Sequence, residues 1–174
     1  MVESYQSNVQ NSNNNDEVVA PIICKFFGGD SFEVVHDRSR QIRGIDIVIR
    51  KGDRVINVDT KHAGSRRVGE SVVVPWERVR DGRSIPQDFF NERSECDAFI
   101  KVHREGDSWV FHVFDFRQAR DFFIQHKDEI VRVFGSRRVV QDVRGSEQVT
   151  VASIVPIQAL IDEGISCKKV VRKD

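Results

Sequence analysis

Two acidic residues set inside apolar, β-branched runs constrain this chain more than any other feature. Residues 45–49 read Ile-Asp-Ile-Val-Ile, and residues 55–61 read Val-Ile-Asn-Val-Asp-Thr-Lys. Both runs have the composition of buried strands, and Lys51-Gly52-Asp53 between them is a hairpin turn. Asp46 interrupts the first strand and Asp59 ends the second. An ionised carboxylate inside a sheet is costly unless it is paired or bound to a cation. The first strand runs out and the second runs back, so both acids are expected at the same end of the hairpin. Asp59 and Lys61 are two residues apart and point to one face of an extended chain. Thr60 points away, which leaves its backbone carbonyl available to a cation. The structural alternative is a hairpin whose strand-end acids pair with Arg43 or Arg50.

Two carboxylates, one carbonyl and several waters suit Mg²⁺, a hard cation that dehydrates reluctantly; Mn²⁺ substitutes in such a site. A lysine beside them positions or activates an attacking water, or stabilises negative charge on phosphate. His62 adjoins this group and is expected in a supporting or structural role. Arg40 and Arg43 precede Asp46, and Arg66 and Arg67 follow Lys61. These four are candidates for contact with DNA phosphates, or else a solvated surface.

The D-x12-D-x-K spacing, set after a helix and one strand, resembles the PD-(D/E)xK nuclease superfamily, which includes restriction endonucleases and Holliday-junction resolvases. The resemblance covers residues 16–63, with looser agreement to residue 116. It implies a restriction endonuclease-like core and a Mg²⁺-dependent endonuclease acting on phosphodiester bonds in DNA. It assigns the metal to Asp46 and Asp59, and catalysis to Lys61. Many members place an acid on the first helix as a further ligand or water-positioning group, and Glu17 holds that place here. Ile45 stands where the motif's proline would be. The helix expected after Lys61 is not legible, and Glu70 and Glu77 are the acids available beyond it. The rival within the same fold is a non-catalytic member that binds nucleic acid or protein.

The rest of the chain is expected to build an α/β fold, with a central mixed sheet flanked by helices and the strand hairpin first. Residues 1–14, rich in Ser, Asn and Gln, read as a disordered lead-in, and residues 15–174 as one domain. A helix capped by Asn15 or Asp16 carries an apolar stripe (Val18, Val19, Ile22, Ile23, Phe26, Phe27) and stops at Gly28-Gly29. Residues 32–36 read as a strand, as do residues 72–76, where Pro75 demands an edge or an end. A short helix is expected over residues 86–94. A hairpin is expected from residues 97–103 and 109–116, one long helix over 118–134, a strand over 149–155 and a short helix over 156–163. Trp109 opens an apolar strand and belongs in the core.

Charge and cysteine usage narrow the function classes. The 27 basic and 27 acidic residues cancel. That balance argues against a strong non-specific DNA binder and favours a selective or partner-assisted enzyme. Cys24, Cys96 and Cys167 are odd in number and widely spaced, so they suggest free thiols rather than a zinc site. No apolar run suits a membrane span and no signal sequence is evident, so a cytoplasmic location is expected. Cutting both strands of a duplex takes two sites, so a homodimer is the expected assembly.

Overall fold

The computed structural model describes residues 5–63, 66–85, 89–91, 93–143 and 145–173, with side chains described from Asn15 onward except Arg66 and Val143. Helix α1 (Tyr5–Phe27) lays Val19, Ala20, Ile23 and Cys24 against the first sheet. It begins at Tyr5, well before Asn15, so Asp16 lies within the helix rather than at its cap. Nucleation limits an isolated helix; once the packed turns of residues 16–27 supply it, propagation through Asn and Ser costs little per residue. The helix ends where Gly28 takes a φ of 65°. The N–H of Gly29 bonds the Cys24 carbonyl and that of Gly28 bonds the Lys25 carbonyl, which satisfies the last turn.

Strand β1 (Ser31–Val34) leads to a single helical turn, α2 (Arg38–Gln41), where the Asp37 carboxylate caps the start by accepting the Ser39 N–H. Strands β2 (Ile47–Lys51) and β3 (Arg54–Ala63) form the expected hairpin, closed at Lys51 and Arg54 around Gly52, whose φ is 54°. A short turn, α3 (Arg66–Gly69), follows. Strand β4 (Ser71–Arg80) then forms a hairpin with β5 (Arg83–Ser84), turning at Asp81-Gly82. Pro75 sits at a register shift where β5 no longer flanks β4, so its missing N–H interrupts no ladder. The helix expected over residues 86–94 falls partly outside the described residues; Phe89 and Phe90 lie in a turn.

Strands β6 (Ala98–Glu105) and β7 (Ser108–Asp115) form the second expected hairpin. The helix expected over residues 118–134 is two helices, α4 (Phe116–Gln125) and α5 (Lys127–Phe134), broken at His126. The Asp115 carboxylate caps α4 by accepting the Gln118 N–H at 2.8 Å, and the rings of Phe122 and His126 stack beside the break. Strand β8 (Arg137–Val143), which the sequence reading missed, pairs with β9 (Ser146–Pro156). Helix α6 (Ile157–Asp162) and strand β10 (Cys167–Lys173) complete the chain.

The architecture is α/β with a mixed central sheet. Its six strands run in the order β1-β2-β3-β6-β7-β10, with β3 and β6 parallel and the other neighbours antiparallel. Helix α1 covers one face through Ile47, Ile49, Val58, Ala98, Ile100 and Val102. A second sheet, ordered β5-β4-β9-β8, packs with α4–α6 against the other face. There Val72, Val74 and Val155 meet Phe99, Phe114, Phe116 and Phe123. The parallel junction between β3 and β6 brings residues 59–61 into the centre of the sheet, which fixes the position of the candidate site.

Candidate functional site

The site is built where β2 begins and β3 passes between β2 and β6. Val58 lies in the core beneath α1, and alternation puts Thr60 on that same face and Asp59 and Lys61 on the other. Lys61 Nζ lies 2.7 Å from Asp59 Oδ1. Asp59 is 2% exposed, whereas the Lys61 side chain is 39% exposed. The carboxylate is therefore held inside the molecule while its cation reaches the surface.

Asp46 stands one residue before β2. Its N–H donates to the Val58 carbonyl at 2.9 Å, although Ile47 is the residue that faces Val58. The chain thus enters β2 slightly out of register, and the Asp46 side chain takes the place of a further strand carbonyl. Its Oδ2 accepts the Thr60 N–H at 2.9 Å and lies 3.3 Å from the Thr60 hydroxyl. That hydroxyl donates to Asp16 Oδ1 at 2.6 Å, and His62 Nε2 meets the same oxygen at 2.6 Å. Asp16 is 3% exposed. Thr60 therefore ties an acid of the first helix to the acid that starts β2.

The acid that α1 brings into this hydrogen-bond network is Asp16, whereas Glu17 lies outside it. Glu17 is exposed and lies 3.5 Å from His36. The reason is helical phase. Val19, Ala20, Ile23 and Cys24 are buried while Val18 is 56% exposed, and Asp16 precedes Val19 and Ala20 by three and four residues, on the same face. The apolar stripe Val18, Val19, Ile22, Ile23, Phe26 and Phe27 is wide enough for both phases, and packing selects the one through Val19 and Ile23.

Arg40, Arg43 and Arg50 make their ion pairs outside this network. Arg40 pairs with Glu33, and Arg43 Nη1 lies 2.9 Å from Glu95. Arg50 lies 3.9 Å from Glu33. The side chain of Arg66 falls outside the described residues, and Arg67 is exposed. Glu70 lies 4.0 Å from Lys169, across the sheet from Asp59. Trp109 is in the core, and Trp76 donates its indole N–H to Ser153.

Two further residues frame the centre, and the sequence reading used neither. Cys96 is 5% exposed; burial, and then the charge of Asp59, push its thiol well above the usual range. Lys101 on β6 is the register partner of Lys61 on the parallel strand β3. It is 5% exposed, and burial followed by the nearby Lys61 charge lowers its ammonium pKa. The signal for Lys101 was a lysine inside the strand-like run 97–103.

The donor set bears on a metal. Among the described residues, no three His, Cys, Asp or Glu side chains group as a metal cage. Mg²⁺ requires less: one or two carboxylates with waters completing its shell. Asp46, Asp59 and the Thr60 carbonyl are hard oxygen donors of the kind Mg²⁺ takes, with Asp46 joined to Thr60 on the α1 face of β3 and the Asp59 side chain on the opposite face.

No family model matches the chain, and neither the curated proteins nor the solved structures give a significant match. Among the described residues, no helix is long and apolar enough to cross a membrane.

Proposed function

We propose that this protein is a metal-dependent deoxyribonuclease of the PD-(D/E)xK type, with a restriction endonuclease-like core. The observation that carries the reading is the joining of Asp16, Asp46 and Thr60 at the head of the β2–β3 hairpin, with Lys61 held on the adjoining Asp59. The structural alternative pairs the acids with arginines such as Arg43 or Arg50, and these two make ion pairs with Glu95 and Glu33.

Asp46, Asp59 and the Thr60 carbonyl would hold the Mg²⁺. The ion supplies a Lewis acid that polarises phosphate and lowers the pKa of a bound water. Lys61 is the mobile cation: two residues from Asp59 and partly exposed, it reaches from the carboxylate toward a phosphate at the surface. Asp16 acts by position. It accepts from the Thr60 hydroxyl, so it fixes the residue whose N–H and carbonyl flank the metal ligands. Cleavage of both strands of a duplex calls for two copies of the site, so the working assembly is a homodimer.

A second reading, a non-catalytic nucleic-acid-binding or protein-binding member of the same fold, is favoured by one observation: Asp59 is almost wholly buried and already carries a cation partner. Cleavage of plasmid, branched and single-stranded DNA with Mg²⁺ or Mn²⁺ separates the two. Asp46→Asn, Asp59→Asn and Lys61→Ala should each lose activity by at least about 100-fold. Asp16→Asn should lose more than Glu17→Gln. Equal cleavage by wild type, Asp59→Asn and Lys61→Ala would sink the nuclease assignment, and no cleavage by any of them would favour the binding module.

A further inference from the structure

Lys101 has no structural role that its surroundings explain. The residue is 5% exposed, and among the described residues its ammonium has no ion pair or hydrogen bond. Its position across the sheet makes this costly. Register places it beside Lys61 on β3 and His112 on β7, and His112 is in turn the partner of Lys169 on β10. The four residues form one row, all basic, at a single level of four neighbouring strands. Glu70 approaches Lys169 at the far end of that row, and Asp59 holds Lys61 at the near end. Along its own strand, on the same face, Lys101 has Phe99 and His103. Two ammonium groups on neighbouring strands, one of them on a residue that is mostly buried, repel each other unless an anion joins them.

We infer that Lys61 and Lys101 together form a two-lysine anion site that takes the non-bridging oxygens of a phosphate group, with Lys101 as a further substrate-binding residue. The choice of a nucleic-acid phosphate as the occupant rests on the nuclease reading; the anion site does not. A phosphate brought to Lys61 reaches Lys101 one strand further in, where the neighbouring hydrophobic wall of Phe99 and Phe114 excludes competing water. Lys61 is shared with Asp59 and partly exposed, so it suits a mobile role. Lys101 is held by the strand and suits a fixed one.

The test reads binding rather than turnover. Thermal unfolding of the full chain is followed in phosphate-free buffer and with inorganic phosphate, for wild type, Lys101→Met and Lys101→Gln. Affinity for a short fluorescent DNA duplex is measured by anisotropy with Ca²⁺ in place of Mg²⁺. Phosphate should raise the wild-type Tm. Both variants should be at least as stable as wild type without phosphate, and neither should respond to it. Duplex affinity should fall by about tenfold, and the salt dependence by about one phosphate contact. An unchanged phosphate response in either folded variant would overturn the proposal. So would an equal loss of stability with and without phosphate, which marks a purely structural ammonium. A phosphate response without any change in duplex affinity assigns the site to free phosphate and overturns the backbone contact. If no DNA is cleaved under any condition and the Lys101-dependent response persists, the nuclease reading falls and the anion site stands.

Discussion

At the scale of the residue, the chain keeps several polar side chains where apolar ones would pack. Asp16, Asp59, Thr60, Lys101, His103 and His112 are all buried. Thr60 shows how some of this is made tolerable: one hydroxyl and one N–H serve two carboxylates on two different elements. His112 is a different case. Its Nδ1 is buried with no hydrogen-bond partner, and its ring lies parallel to that of His103 at 5.8 Å. Burial, then Lys169 and His103, lower its pKa from 6.5 to about 4. The folded state thus resists a proton that the unfolded chain accepts. Its folded pKa lies below its unfolded one, so stability is full above pH 6.5 and falls as the pH drops toward about 4. Urea unfolding between pH 7 and pH 5 should show that decline in wild type and a shallower one in His112→Gln. Parallel slopes for the two proteins would show that His112 is not its source.

At the scale of the element, ends decide more than interiors. Helix α1 ends at a glycine pair with two separate duties. Gly28 takes the left-handed conformation that closes the last turn. Gly29 has ordinary φ but no room: a Cβ there would stand 2.4 Å from Ile49 Cγ2 and 2.9 Å from Cys24 Sγ. Its N–H already holds the Cys24 carbonyl, so the backbone cannot retreat. Gly29→Ala is expected to destabilise the protein by about 1–3 kcal/mol, measured by chemical denaturation. A change below about 0.5 kcal/mol would mean that α1 shifts freely on the sheet. The pair was legible as a helix stop; the close approach to Ile49 was not, because it is made by a strand twenty residues on. The β2–β3 hairpin was legible for the opposite reason. Its apolar runs, its turn and its two acids lie within one short segment, so local chemistry alone fixes them.

At the scale of the whole molecule, the central sheet depends on β10. This strand pairs with β7 along its length, from Cys167 opposite Phe114 to Lys173 opposite Ser108. Removing residues 167–174 would leave β7 as an open edge bearing Trp109, Phe111 and Val113, a template for pairing with another chain. Such a truncation is expected to self-associate. Light scattering should report species larger than full-length protein at equal concentration, whereas an unchanged mass would show that β7 needs no cover. The second sheet has a comparable dependence on distant segments: β4 finds its partner in β9, some seventy residues later. Strands β8 and β10 were not legible for a different reason: Arg137–Val143 and Cys167–Lys173 are short and charged and lack the apolar–polar alternation that marks a strand.

The sequence by itself determined the β2–β3 hairpin, the end of α1, the β6–β7 hairpin and the proximity of Lys61 to Asp59, because each is settled by side-chain period and turn chemistry over a few residues. Tertiary structure decided the rest. Helical phase against the sheet chose Asp16 over Glu17, and only packing sets that phase. The parallel pairing of β3 with β6 put Lys101 beside Lys61, and no local pattern encodes which strand follows which across a sheet. Asp46, Asp59 and Lys61 were visible as a pattern in the chain. The neighbours that give the pattern its electrostatic setting, Asp16 on one face and Lys101 on the other, came only with the fold, because a charge is priced by its surroundings and those are assembled from distant segments.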